Sequence, residues 1–227
     1  MDAGIGKILG KLEQLGCRED TLVVFTSDNG VCMGHHGVWG KGNATYPQNM
    51  YEESVKVPCV MQGPHVPKGL VANGMYSHCD WYPTLLELAQ VKNPPENPCA
   101  VGHSFAPLLL GKGEGNLRNY IYVFEEYGDV RMVRNEQYKY ISRTGGFDCE
   151  LYDLQKDPHE SCNLVQTGQY QAVQNQMEQL LQQEFERCTV GSHSGRNNRV
   201  TGKGQLNLAD GTPGAFAYPT GLLRDEK

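Results

Sequence analysis

Ile5, Ile8, Leu9, Leu12 and Leu15 recur at spacings of three and four, and Gly16 follows them. That spacing predicts an amphipathic helix stopped by the glycine. The pattern then changes to a continuous apolar run, Leu22 to Phe25, closed by Ser27-Asp28-Asn29-Gly30. A short unbroken run predicts a strand buried on both faces, and the residues after it are turn formers. A helix, a turn and a buried strand predict an α/β layered sheet. Asp28 and Asn29 then lie at a strand's carboxyl end, where open α/β sheets place their ligands. "VKVPCVMQGP", from Val55 to Pro64, predicts another core strand closed by Gly-Pro. Cys79 to Gln90 predicts a helix with Asp80 as N-cap and Pro83 in its first turn. Pro94, Pro95 and Pro98 mark a connector.

Past Gly115 the texture changes. "NYIYVFEEYG", "VRMVRNEQYKYISR" and "CELYDL" are short, aromatic and partly alternating, which predicts antiparallel strands. "DPHESCNL" reads as a turn. Tyr170, Val173, Met177, Leu180, Leu181, Phe185 and Cys188 then line one face of an amphipathic helix. The expected organisation is an α/β sheet domain over 1–115, a small antiparallel α+β subdomain over 116–190, and an extended tail over 191–227.

Composition narrows the partners. A net charge of −6 disfavours a nucleic-acid partner, whose phosphates need clustered Lys and Arg. No window of about eighteen apolar residues is present to span a membrane. Eight cysteines among 227 residues are too sparse for a disulfide scaffold and form no C-x-x-C pair. Most are expected to be small buried hydrophobes. The first residues lack the basic and apolar regions of a signal peptide and open directly in a helical pattern, which reads as a piece of a longer chain.

The chemistry concentrates in "TSDNGVCMGHHGVWGKGN", Thr26 to Asn43. Asp28 and Asn29 offer a carboxylate and an amide carbonyl, the hard oxygens that Ca²⁺ and Mg²⁺ prefer. The same pair also makes an ordinary Asx-turn, which spacing alone favours. Lys41, between Gly40 and Gly42, can bring a point charge to an anion while backbone approaches closely, or can be a solvated loop lysine. His35 and His36 are candidate ligands, acid–base groups or anion donors. Cys32 and His35 have a zinc-like spacing, but no second pair completes it. Trp39 reads as an anchor that pins the loop. Asn43-Ala44-Thr45 is a formal glycosylation acceptor, where a glycan would obstruct Lys41.

With "YEESVKVPCVMQGP" after it, this stretch resembles the type I sulfatases of the alkaline-phosphatase superfamily. The similarity continues through "DWYPTLLELA", "GHSFAPLLLG", "EEYGDVRMVRNEQYKY" and "ELYDLQKDPHESCNL", covering most of 1–190. The resemblance implies an alkaline-phosphatase-like α/β/α sheet followed by a small antiparallel subdomain. It implies that Asp28 and Asn29 help bind one divalent cation, usually Ca²⁺. Lys41 matches the lysine that contacts the sulfate group. One histidine of the pair, His36 by its place in G-x-H-G, matches a recurrent loop position that either faces the substrate or supports the groups that do; His35 beside it is carried as a further substrate-binding candidate. The implied substrate is a sulfated carbohydrate or other sulfate ester. Relatives are commonly exported, although this chain carries no address.

The family's nucleophile is a formylglycine made from C-x-P-x-R or S-x-A-x-R. No cysteine or serine of the chain stands in either pattern. The expectation is therefore the C-terminal portion of a sulfatase, inactive alone, with the N-terminal half of the parent domain as its missing partner. The alternatives are a phosphatase or phosphodiesterase of the same superfamily, and a fragment that binds sulfated glycans without cleaving them.

Overall fold

The computed structural model describes residues 1–45, 47–92, 94, 100–113, 118–125, 130–143 and 146–189. The expected tail, Pro95, Pro98, Cys99 and residues 126–129 lie outside them. In chain order the elements are α1 (Asp2–Gln14), β1 (Val23–Thr26), β2 (Cys32–Met33), β3 (Trp39–Gly40), α2 (Glu52–Val55), β4 (Cys59–Gln62), α3 (Trp81–Leu88), α4 (Ala106–Leu109), β5 (Ile121–Phe124), β6 (Val130–Arg134), β7 (Tyr138–Arg143), β8 (Glu150–Asp153) and α5 (Gln171–Cys188). The described residues group into two compact units. The first takes 1–28 with the described parts of 56–96 and 101–118; the second takes 29–55, residue 100 and the described residues from 119 onward.

In the first unit, α1 ends where Gly16 turns left-handed at φ 66°. The amides of Gly16 and Cys17 donate to Glu13 and Leu12 carbonyls, each at 3.0 Å, which closes the helix in the Schellman manner. β1 and β4 pair antiparallel, from Val23 opposite Gln62 to Thr26 opposite Cys59. Both strands lie where the apolar runs predicted them, but their burial differs from expectation. None of their residues is buried, and Phe25 and Val60 are 39% and 62% exposed. Among the described residues each strand has only the other as its hydrogen-bonded neighbour.

α3 starts at Trp81 with Asp80 at its N-cap position, as expected, but the Asp80 side chain closes the 3-10 turn His78–Asp80 that leads into it. Ser77 accepts from the Cys79 amide and Asp80 accepts from the Ser77 amide, a capping box. Asp80 is 1% exposed and also accepts from the His103 amide at 2.8 Å and from Arg118. One carboxylate thus joins the start of α3 to residues 103 and 118.

The second unit is built on a four-stranded meander, β5-β6-β7-β8. Strand alternation sorts its side chains onto two apolar faces. Met132, Ile141 and Tyr152 pack with Met50, Tyr51 and Val55 on one face. Val133, Tyr140 and Leu151 pack with Met177 and Leu181 of α5 on the other. The stripe expected on the last helix is the one that docks. Among the seven described cysteines the burial expectation fails: only Cys32 is buried, and Cys17, Cys59, Cys79 and Cys162 are exposed.

Burial pushes the phenols of Tyr140 and Tyr152 well above their ordinary 10.0, helped by Cys149 and Glu150 respectively. Tyr51 and Tyr122 are raised from the same cause. The unfolded chain therefore loses these protons first. Stability from this source is intact below pH 10 and falls as pH rises beyond it. An alkaline titration should show the tyrosinate absorbance of these residues rising only together with loss of circular dichroism. Full ionisation of all twelve tyrosines in a still-folded chain would contradict the burial.

Candidate functional site

The loop from Asn29 to Met50 is shaped by two glycines. Gly34 is left-handed at φ 93°, and the Trp39 ring lies over it, 3.3 Å from where a Cβ would stand. Gly40 sits at φ 141°, and a Cβ there would meet Ala44 Cβ at 2.6 Å. β2 and β3 pair on either side of the turn that Gly34 opens, Cys32 opposite Gly40 and Met33 opposite Trp39. Trp39, expected as an anchor that pins the loop, lays its ring over Gly34 while remaining 74% exposed.

Lys41 is exposed and stands at the N-terminal boundary of the 3-10 turn Gly42–Ala44. The turn is braced from within the unit. The Asn49 amide donates to Gly42 O at 2.9 Å, and Ser54 Oγ donates to Asn49 Oδ1 at 2.6 Å. Ser54 O in turn accepts from the Gly30 amide at 3.0 Å. Ser54, Asn49 and Cys32 are buried, with Cys32 Sγ 3.4 Å from Ser54 Oγ. Both ends of the loop are thus tied to the α2 segment.

The two histidines have different settings. His35 is exposed, and its Nδ1 accepts from the Met33 amide at 3.3 Å, so it structures the loop. His36 holds a left-handed backbone, φ 54° and ψ 21°, which costs a non-glycine residue about 1–2 kcal/mol. Its ring stacks on Tyr51 at 3.7 Å and 10°. Its Nε2 lies 3.6 Å from Glu53 Oε2, and its side chain is only 15% exposed. A strained residue held by stacking and a carboxylate is over-determined by its surroundings, as functional positions often are.

Asp28 is exposed, the last residue of the first unit, and its Oδ1 accepts from Ser27 Oγ at 3.4 Å. Asn29 is half-buried, the first residue of the second unit, and its Nδ2 donates to Gly30 O at 3.1 Å. The consecutive carboxylate and amide carbonyl are oxygen donors of the kind a calcium-type ion takes, two of the six to eight it requires.

His36, Glu53 and Glu160 also lie close enough to hold a metal, with ligand atoms within 4.8 Å of one another. The chemistry of this group argues for a lysine instead. Glu160 Oε1 is 2.7 Å from Lys139 Nζ, and Oε2 accepts from the Glu52 amide at 2.7 Å. A buried ammonium already supplies the positive charge. Glu52, Lys139 and Glu160 were not singled out in the sequence. Their signal was present in "YKYIS", where Lys139 shares the alternation phase of Ile141 and so belongs to an apolar face.

The fold is that of alkaline-phosphatase-like hydrolases. More narrowly, the chain belongs to the sulfatase family: residues 34–187 match the N-sulphoglucosamine sulphohydrolase, C-terminal, domain. It is 30% identical over 194 residues to an N-acetylglucosamine-6-O-sulfatase of Bacteroides thetaiotaomicron, covering 81% of this chain and 33% of that protein. It superposes with a TM-score of 0.66 and 28% identity on BT4656, solved in complex with its substrate D-glucosamine-2-N,6-O-disulfate, covering 82% of this chain and 38% of that one. A phosphonate monoester hydrolase of Agrobacterium radiobacter superposes with a TM-score of 0.68 at 26% identity, covering 83% and 39%. The chain spans about a third of the length of the curated relatives it matches. The family implies a divalent metal ion. No helix among the described residues is long and apolar enough to cross a membrane.

Proposed function

We propose that the chain serves the hydrolysis of sulfate esters on amino sugars, supplying part of the site. Asp28 and Asn29 give two oxygen donors to Ca²⁺. Lys41 presents its ammonium to the sulfate group, where a fixed positive charge offsets the charge that develops as the ester bond breaks. His36, stacked and tethered, faces the substrate, while His35 shapes the loop. The bound cation would polarise a sulfate oxygen. The observation that carries this reading is the braced loop: Lys41 is exposed, yet its turn is fixed through Gly42, Asn49 and Ser54. The likeness of BT4656, which binds a disulfated glucosamine, supports the substrate class.

The nucleophile is supplied from outside these 227 residues, since no formylglycine pattern occurs in them. Purified chain should therefore bind D-glucosamine-2-N,6-O-disulfate in the presence of Ca²⁺, with amide shifts at Gly40, Lys41 and Gly42, and release no sulfate. Equal shifts with unsulfated glucosamine would overturn the binding role. Sulfate release that survives chelation and stringent repurification would overturn the division of labour. The phosphonate monoester hydrolase likeness favours a second reading, a phosphorus ester as substrate. Tighter binding of a phosphonate monoester than of the sulfated sugar would establish it.

A further inference from the structure

Lys139 is 0% exposed in the middle of a sheet face. Its Nζ lies 2.9 Å from Glu52 Oε1 and 2.7 Å from Glu160 Oε1, and the Glu160 side chain is likewise fully covered. Arg134, on the same face of β6, holds the second Glu52 oxygen. Glu160 adopts a left-handed backbone at φ 52°, a cost accepted with its carboxylate directed at Lys139. Burial raises its carboxyl, and Lys139 opposes that shift. Nearby, Arg143 donates to Gln48 O at 2.6 Å. These contacts all reach one short segment, residues 48–55.

That segment also holds the loop. Ser54 binds Gly30 and Asn49, Asn49 binds Gly42, Tyr51 carries the His36 ring and Glu53 faces its Nε2. Glu52, between Tyr51 and Glu53, is the residue that Lys139 and Arg134 grip from behind. A buried ammonium between two carboxylates has little freedom, because separating any member leaves a charge without a partner in an apolar setting.

We propose that Lys139 is a positioning residue, which through Glu52 and Glu160 fixes the segment that sets the posture of His36 and Lys41. Its importance for sulfate chemistry rests on the function proposed above. The positioning itself does not, and is measurable without ligand.

The test is amide exchange and His36 ring resonances on the full chain, for the wild type, Lys139→Met and Glu52→Gln. Glu52→Gln keeps the backbone donor to Glu160 and removes the charge that Lys139 and Arg134 both grip. Expected in both variants is exchange at Gly30 and Asn49 faster by about tenfold or more, with core amides of α5 such as Met177 and Leu181 unchanged. The upfield ring-current shift that stacking on Tyr51 gives His36 should shrink in parallel. Unchanged loop exchange and unchanged His36 shifts would overturn the proposal. So would acceleration no greater than that of the α5 amides, the mark of general destabilisation. If Lys139→Met does not fold, Glu52→Gln decides by the same criteria. Loosened loop amides with undiminished affinity for the disulfated sugar would uphold the positioning and count against Lys41 as the sulfate contact.

Discussion

Lys41→Ala is expected to weaken binding of D-glucosamine-2-N,6-O-disulfate by about tenfold or more, the scale of one lost charge-assisted contact. The fold should not change. Lys41 is exposed, and the contacts that brace its turn use the amides and carbonyls of residues 42 and 49. Lys41→Arg keeps the charge and should recover part of the loss, although a planar fork replaces a compact ammonium. Because the site is open, salt should erode the wild-type affinity and leave the alanine variant less sensitive. Isothermal titration at two ionic strengths separates these outcomes. Wild-type affinity in Lys41→Ala, or a loss equally large with unsulfated glucosamine, would remove Lys41 from the sulfate site.

Asp80→Ala is the change expected to cost the most stability, about 3–5 kcal/mol, as when one partner of a buried ion pair is removed. Asp80 accepts from the amides of Ser77 and His103 and from Arg118, whose side chain is only 11% exposed. Removal strands a guanidinium and two amides together. Asp80→Asn retains an acceptor and loses the charge, so it should fall between alanine and wild type. Trp81 adjoins this residue and packs edge-on against Phe105 at 5.1 Å, so its fluorescence in a Trp39→Phe background follows this unit during denaturation. A shift below about 1 kcal/mol, an ordinary surface effect, would show that the Asp80 hub is dispensable.

Local pattern was enough for most elements. The stripe at 173, 177, 181 and 185 could only be one helical face, and α5 buries Met177 and Leu181 with it. Alternation in "VRMVR" and "YKYISR" gave paired strands with opposed faces. Burial was less legible, because it depends on what packs above a residue. Leu22–Phe25 has the composition of a doubly covered strand, but no residue of β1 is buried. The cysteines show the same limit: hydrophobicity made all of them candidates for the core, and only the contact with Ser54 separates Cys32 from the rest. For the site, the residues that carry charge towards a ligand were visible as a loop motif. Those that hold the loop were not, since Glu52 and Lys139 stand 87 positions apart and meet only once the meander has formed.

Cys32 gives the protein a clock of its own. Its sulfur is sealed against Ser54 at 0% exposure, while four other thiols are open to solvent. A thiol reagent therefore meets exposed groups that react at once, the half-buried Cys149 and Cys188, and Cys32, which waits for the α2 segment to lift. The slow phase measures how often the loop comes off its support. Substituting the other seven cysteines would leave that rate as a readout of loop breathing that needs neither substrate nor catalysis.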